Sequence, residues 1–174
     1  MSGVRVQVDG LPELLRALRN NAGAGQALAQ GLNAIGLRAS SESKRAAPTG
    51  VSSKLKNSIT FEVDRSPLPT FVRIGTIGGE RVDYAAYMEY GTGLVHDHPN
   101  WPRRPHIVPT GRRTPPGLKL WAKRKGQDPY TIAGAINAKG GLEPRRYLRG
   151  PFERDRARYV RTLADALRRM SLDG

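Results

Sequence analysis

No cysteine occurs anywhere in the 174 residues. Its absence removes disulfides, thiolate nucleophiles and cysteine-ligated zinc together, and it fits a reducing compartment or a particle assembled in one. Long apolar runs are missing too. None approaches the roughly 20 residues that cross a bilayer, and the opening MSGVRVQVDG holds no apolar signal-peptide core, so the chain reads as soluble and untargeted. Acidic residues are scarce, with 15 Asp and Glu against 29 Lys and Arg for a net charge of +14. The imbalance is concentrated in residues 94–174, where 18 cations face 7 anions. Either this is a solvated basic surface or a polyanionic neighbour exists, be it nucleic acid, an acidic protein or a membrane face.

Catalytic equipment is equally thin. No serine stands in a nucleophile-elbow context and no carboxylate pair sits on a recognisable scaffold, so the chain is not expected to be an enzyme. Ile77-Gly78-Gly79 lacks the Lys-Ser/Thr and the glycine spacing of a phosphate loop. His96, Asp97, His98 and His106 are residue types that suit zinc, but nothing fixes their geometry and no fourth ligand is evident. They read as loop histidines, and no metal or cofactor is expected.

The elements follow from periodicity. Val4, Val6 and Val8 alternate with polar residues as a half-buried strand does, and Leu11, Leu14, Leu15 and Leu18 then mark a helical face to about Arg19. A longer helix is predicted from about Gly25 to Ala47, with Leu28, Leu32, Ile35 and Ala39 on one stripe and with Gly31 and Gly36 permitting close packing. Pro48-Thr49-Gly50 ends it. Residues 51–57 are polar and basic and are expected to form an exposed, mobile loop. Ile59, Phe61 and Val63, then Phe71 to Gly75, predict an antiparallel hairpin.

Val82 to Gly93 contains three of the six tyrosines. Tyr84, Tyr87, Met88 and Gly91 share one helical face, Gly91 suits a left-handed cap, and Glu89 falls on the opposite side. Beyond it, Leu94 to Gly117 is proline-rich and irregular. Leu118–Gly126 and Thr131–Ile136 read as two short helices punctuated by Asp128-Pro129, with Trp121 as the packing anchor. Their helix-turn-helix spacing and the basic Lys123, Arg124 and Lys125 admit a nucleic-acid reader, although the second helix is too rich in Ala, Ile and Gly to favour one. The last helix runs to about Met170, with Gly150 at its cap and Pro151 at its first position. Phe152, Tyr159, Val160, Leu163, Leu167 and Met170 form its buried stripe, and Arg154, Arg158, Arg161 and Arg168 stay in water.

The fold class is therefore α+β: one domain over 1–174, a small antiparallel sheet packed against a long helix and a C-terminal helix, with 94–143 as a proline-rich arm and two-short-helix insertion. Three blocks, in order, carry a resemblance. Ala46-Ala47-Pro48-Thr49-Gly50 with Leu55 to Ile59, then Tyr84-Ala85-Ala86-Tyr87-Met88-Glu89-Tyr90-Gly91-Thr92, then Arg146-Tyr147-Leu148-Arg149-Gly150-Pro151-Phe152, are similar to the motifs of the tail-completion or neck proteins of long-tailed bacteriophages. Tyr147 stands where that family usually has Phe, and the first block is one or two residues short.

The resemblance implies a non-catalytic structural protein of the virion, assembled in the host cytoplasm and placed at the neck. It implies a ring of about six copies that docks on head-tail connector or stopper proteins and on tail-terminator or tail-tube proteins, with no membrane partner. Within that expectation, Tyr84, Tyr87, Tyr90 and Phe152 pack the C-terminal helix against the tyrosine turn as a subunit edge, joined by Gly91, Thr92 and Pro151. Glu89 pairs with Arg149 within or between subunits. Arg103, Arg104, Arg112, Arg113, Lys123, Arg124 and Lys125 form a basic patch toward an acidic ring or the traversing DNA. A tail terminator proper and a basic nucleic-acid-binding protein are the alternatives.

Overall fold

The computed structural model describes residues 3–5, 24–49, 53–66, 69, 71–77, 82, 84–101 and 116–172. Among them are three strands, β1 (Gly3–Arg5), β2 (Ile59–Val63) and β3 (Val72–Thr76), and six helices. The helices are α1 (Ala24–Ala46), α2 (Lys54–Ser58), α3 (Ala85–Tyr90), α4 (Pro116–Arg124), α5 (Pro129–Ala138) and α6 (Arg149–Leu172). The helix expected at Leu11–Arg19 and the continuation of the first strand to Val8 lie outside the described residues, as do Arg103, Arg104, Arg112 and Arg113.

β3 is the centre of the sheet, with β1 and β2 both antiparallel to it in the order β1-β3-β2. The alternation of β2 and β3 turns Ile59, Phe61, Val63, Val72 and Ile74 to one face, and α1 lies across that face. Leu28, Leu32, Ile35 and Ala39 of α1 are all buried, as their spacing predicts. Two glycines make the approach possible. A Cβ on Gly36 would lie 2.3 Å from Cδ2 of Phe61, and one on Gly31 would lie 3.1 Å from Cβ of Ala166 in α6. Helix α6 packs along α1 through Tyr159 and Leu163, closing an α+β core.

Three local expectations are corrected. Residues 53–58 are not an exposed loop: Ser53 turns the chain with φ 52°, and α2 follows with Leu55 and Ser58 buried. Leu55 is the reason, since one leucine driven into the core orders the turn around it. Val160 is 56% exposed, because α1 covers the Tyr159–Leu163 side of α6 and Val160 lies about a quarter turn away. Trp121 is only half-buried, and the seam between α4 and α5 closes instead on Ala122 and Ala133, both fully buried.

Among the described residues, no helix is long and apolar enough to cross a membrane.

Candidate functional site

The site grows from α3. Ala85 and Glu89, four apart, face inward, and Met88 packs partly against the core. Tyr84 and Tyr87 remain 42% and 51% exposed. The buried face is thus rotated from the expected tyrosine face. Ala85 is small enough for close approach, and Glu89 is drawn in by donors that the local sequence does not contain.

Those donors belong to residues 142–149, which run beside the chain leaving α3. The amide of Thr92 donates to the Leu142 carbonyl at 2.8 Å, that of Leu94 to Gly140 at 2.7 Å, that of Arg145 to Met88 at 2.9 Å and that of Arg146 to Glu89 at 3.1 Å. Thr92 Oγ1 also accepts from the Leu142 amide at 3.0 Å. Gly91 is required at this crossing, because its φ is 75° and a Cβ would lie 2.5 Å from the Leu142 carbonyl oxygen.

The crossing delivers the start of α6 onto Glu89, which is 1% exposed. Its carboxylate accepts from the Leu148 amide at 2.8 Å, the Arg149 amide at 2.9 Å and Arg149 Nε at 3.1 Å. The first amides of a helix have no intrahelical acceptor and its amino end carries partial positive charge, so a buried carboxylate here serves as a remote cap. Helix α6 has no acidic residue in its own first turn; the acid comes from a position 60 residues earlier.

Arg149 extends the network. Its Nη2 donates to Asp97 Oδ1 at 2.7 Å, Arg146 Nε donates to Asp97 Oδ2 at 2.8 Å, and the Arg149 guanidinium lies 4.6 Å from the centre of the Tyr90 ring. Burial alone would lower the Arg149 pKa, but the hydrogen bonds its guanidinium donates to Asp97 and Glu89 outweigh it and raise the value. Tyr147, fully buried, donates its hydroxyl to the Ala85 carbonyl at 3.3 Å. Burial, and then the Glu89 charge, push its pKa well above the ordinary tyrosine range.

An aromatic layer covers the outer side. Trp101 stacks on His98 with centroids 4.4 Å apart, His98 meets Tyr90 edge-on at 4.5 Å, and Tyr87 leans on Trp101 at 5.5 Å. His96 is buried, and its Nδ1 accepts from the His98 amide at 3.2 Å. His98 Nδ1 accepts in turn from the Asn100 amide at 3.1 Å. These histidines are turn and stacking groups, and among the described residues no three potential metal ligands converge.

Several predicted site residues do come together: Glu89, Tyr90, Gly91, Thr92 and Arg149, with Glu89 and Arg149 paired inside one chain. Phe152 is partly buried against the core cluster that includes Ala85. It stacks on Tyr159 of its own helix at 5.4 Å, while Pro151 is buried beside it. Gly150 and Pro151 fall inside α6, which begins at Arg149. Lys123, Arg124 and Lys125 are exposed where α4 ends. Trp101 was not expected at the site; Asp97 and His98 were read as loop residues, and Arg146 and Tyr147 only as part of the third block. Only the i, i+2 pair His96/His98 carried a local signal, that of side chains bonding backbone amides two residues on.

Chemically, the site is occupied by its own structure. Both oxygens of Glu89 and both of Asp97 are taken by donors of the same chain. No family model, curated protein or solved structure matches the chain.

Proposed function

We propose that this chain is a structural ring subunit of the neck of a long-tailed bacteriophage, joining or completing the head-proximal end of the tail. The observation that carries the reading is the burial of Glu89 against the start of α6. Two of the three blocks that resemble neck proteins, 60 residues apart, meet there as one packed unit. Its carboxylates are consumed in holding that unit, which favours assembly over catalysis. The exposed Tyr84 and Tyr87 beside it are of the residue type enriched where proteins meet. Copies of the chain would form a ring of about six, docked on connector or stopper rings and on tail-terminator or tail-tube proteins. A tail terminator proper would use the same ring at the end of the tube.

Native mass spectrometry and negative-stain imaging of the purified chain, alone and with tail-tube protein, test this reading. A closed ring, alone or on the tube, supports it. Tyr87→Ala should leave folding unchanged and weaken docking or ring formation; normal assembly by that variant would remove Tyr87 from the contact.

A second reading, nucleic-acid binding, draws on the exposed Lys123 and Lys125 at the end of α4 and on the +14 net charge. It expects a chain that never assembles and that binds duplex DNA with affinity falling by orders of magnitude as salt rises.

A further inference from the structure

Helix α5 carries no charged side chain over Pro129–Ala138, yet much of it faces solvent. Tyr130, Thr131, Gly134, Ala135 and Ala138 are all exposed. Nothing in the chain requires Gly134. Its φ is not positive, and a Cβ there would meet no atom within 4 Å among the described residues, whereas Gly31 and Gly36 of α1 are closed off from within by Ala166 and Phe61. Glycine in a helix interior is destabilising relative to alanine, and its use at an open position is the close approach of something from outside.

The surroundings give the chemistry of that neighbour. Residues 125–128 join α4 to α5, and a connection this short makes the two helices an antiparallel hairpin. Leu120, Lys123, Tyr130 and Gly134 are exposed, while Trp121, Ile132 and Ile136 are half-buried. Helical periodicity sets Lys123, Tyr130 and Gly134 to one side of the Ala122–Ala133 seam, with Leu120 at its margin, and the half-buried residues to the other. Lys125, in the turn before α5, and Lys139, just after it, are exposed too, with about 15 Å of uncharged helix between them. The one carboxylate of the hairpin, Asp128, is taken by the amide and hydroxyl of Thr131. A phosphate backbone calls for cations across the whole contact. Here the cations flank a centre of Leu120, Tyr130 and Gly134, which suits apolar side chains with acids at their margin.

We propose that this face of the α4–α5 hairpin docks an acidic amphipathic helix of a partner protein, its apolar side over Tyr130 and Gly134 and its carboxylates beside Lys123, Lys125 and Lys139. A single chain presents the surface. The inference therefore goes beyond the ring reading and stands whether or not copies close into a ring.

Selection of a displayed library of helical peptides on the full chain tests it. One family should be enriched, with apolar residues at i, i+3, i+4 and i+7 and Asp or Glu beside them. Gly134→Gln should weaken the best of these peptides about tenfold or more while the helical circular dichroism is kept, because the added side chain meets nothing of its own chain. Lys123→Glu with Lys125→Glu should weaken it similarly, and the same peptide with its acids changed to Lys should bind that variant better than the native chain. Enrichment of no family, enrichment of one without acids, or a peptide that binds Gly134→Gln as tightly as the native chain overturns the proposal. Duplex DNA held through Lys123 and Lys125, with no acidic peptide enriched, overturns it in favour of the nucleic-acid reading.

Discussion

Where α1 meets α6, Gly31 lets the helices close until Leu163 and Ala166 fill the space, and Glu89 then seals the start of α6 from a third element. Where α4 meets α5, the fully buried side chains are Ala122 and Ala133, and neither belongs to the main core cluster. Leu120 and Tyr130 of the same hairpin are 50% and 42% exposed. What holds α5 locally is Asp128, whose carboxylate accepts from the Thr131 amide at 2.7 Å and the Thr131 hydroxyl at 2.9 Å, with Pro129 at the first helical positions. The body is stabilised by long-range burial and a remote cap, whereas the hairpin depends on a local one. Short helices with little buried area are marginal by themselves, so the two regions should lose structure separately.

The largest effect should come from breaking the remote cap. Glu89→Ala leaves Arg149 Nε and the amides of Leu148 and Arg149 without their acceptor, and should cost about 3–5 kcal/mol of body stability. Urea unfolding followed by circular dichroism checks it; a loss under about 1 kcal/mol would mean that water replaces the carboxylate at no great cost.

Gly36→Ala comes next. Its Cβ would meet the Phe61 ring at 2.3 Å, and overpacking of this kind costs about 1–3 kcal/mol. A Gly36→Ala, Phe61→Leu double variant should recover part of the loss, since the smaller side chain vacates the contact.

A pH titration sharpens the same contrast. Burial raises the pKa of Tyr147, and also that of Tyr159, where Asp155 adds to the effect. Each tyrosine therefore stabilises the body fully below the unfolded value near 10 and loses that contribution as pH rises above it, by up to about 1.4 kcal/mol per pH unit. Tyrosinate absorbance, compared with Tyr147→Phe and Tyr159→Phe variants, should show these two hydroxyls ionising only above the ordinary tyrosine range. Ionisation of Tyr147 and Tyr159 within the ordinary tyrosine range in a chain that stays folded would refute it.

The smallest global effect belongs to the hairpin. Asp128→Ala should cost about 1 kcal/mol locally. Amide exchange in residues 129–138 should accelerate severalfold while protection in α1 and α6 holds. Equal acceleration in both regions would show that body and hairpin unfold as one unit.

The helices α1 and α6, the β2–β3 hairpin and the α4–α5 pair were legible because each repeats apolar residues at its own period over enough positions to fix a face. Asp128-Pro129 likewise announced the start of α5 within two residues. The site was legible only in its letters. Glu89 sits on the polar side of a tyrosine-rich turn when that turn is read alone, and its local period gives no reason to bury it. The reason is the unpaired amides of Leu148 and Arg149, which outcompete water for the carboxylate once Gly91 and Thr92 have brought the two segments together.

The same division applies to the whole chain. Sequence by itself determined most of the described elements, though not α2, together with the absence of disulfide chemistry and the basic excess, because these depend on near neighbours or on counting. Only the tertiary structure decided that Tyr84 and Tyr87 stay exposed, that Glu89 is buried, and that Asp97 joins Arg146 to Arg149. Each of those outcomes depends on which distant donors and strands arrive at the same place, and no local periodicity encodes that meeting.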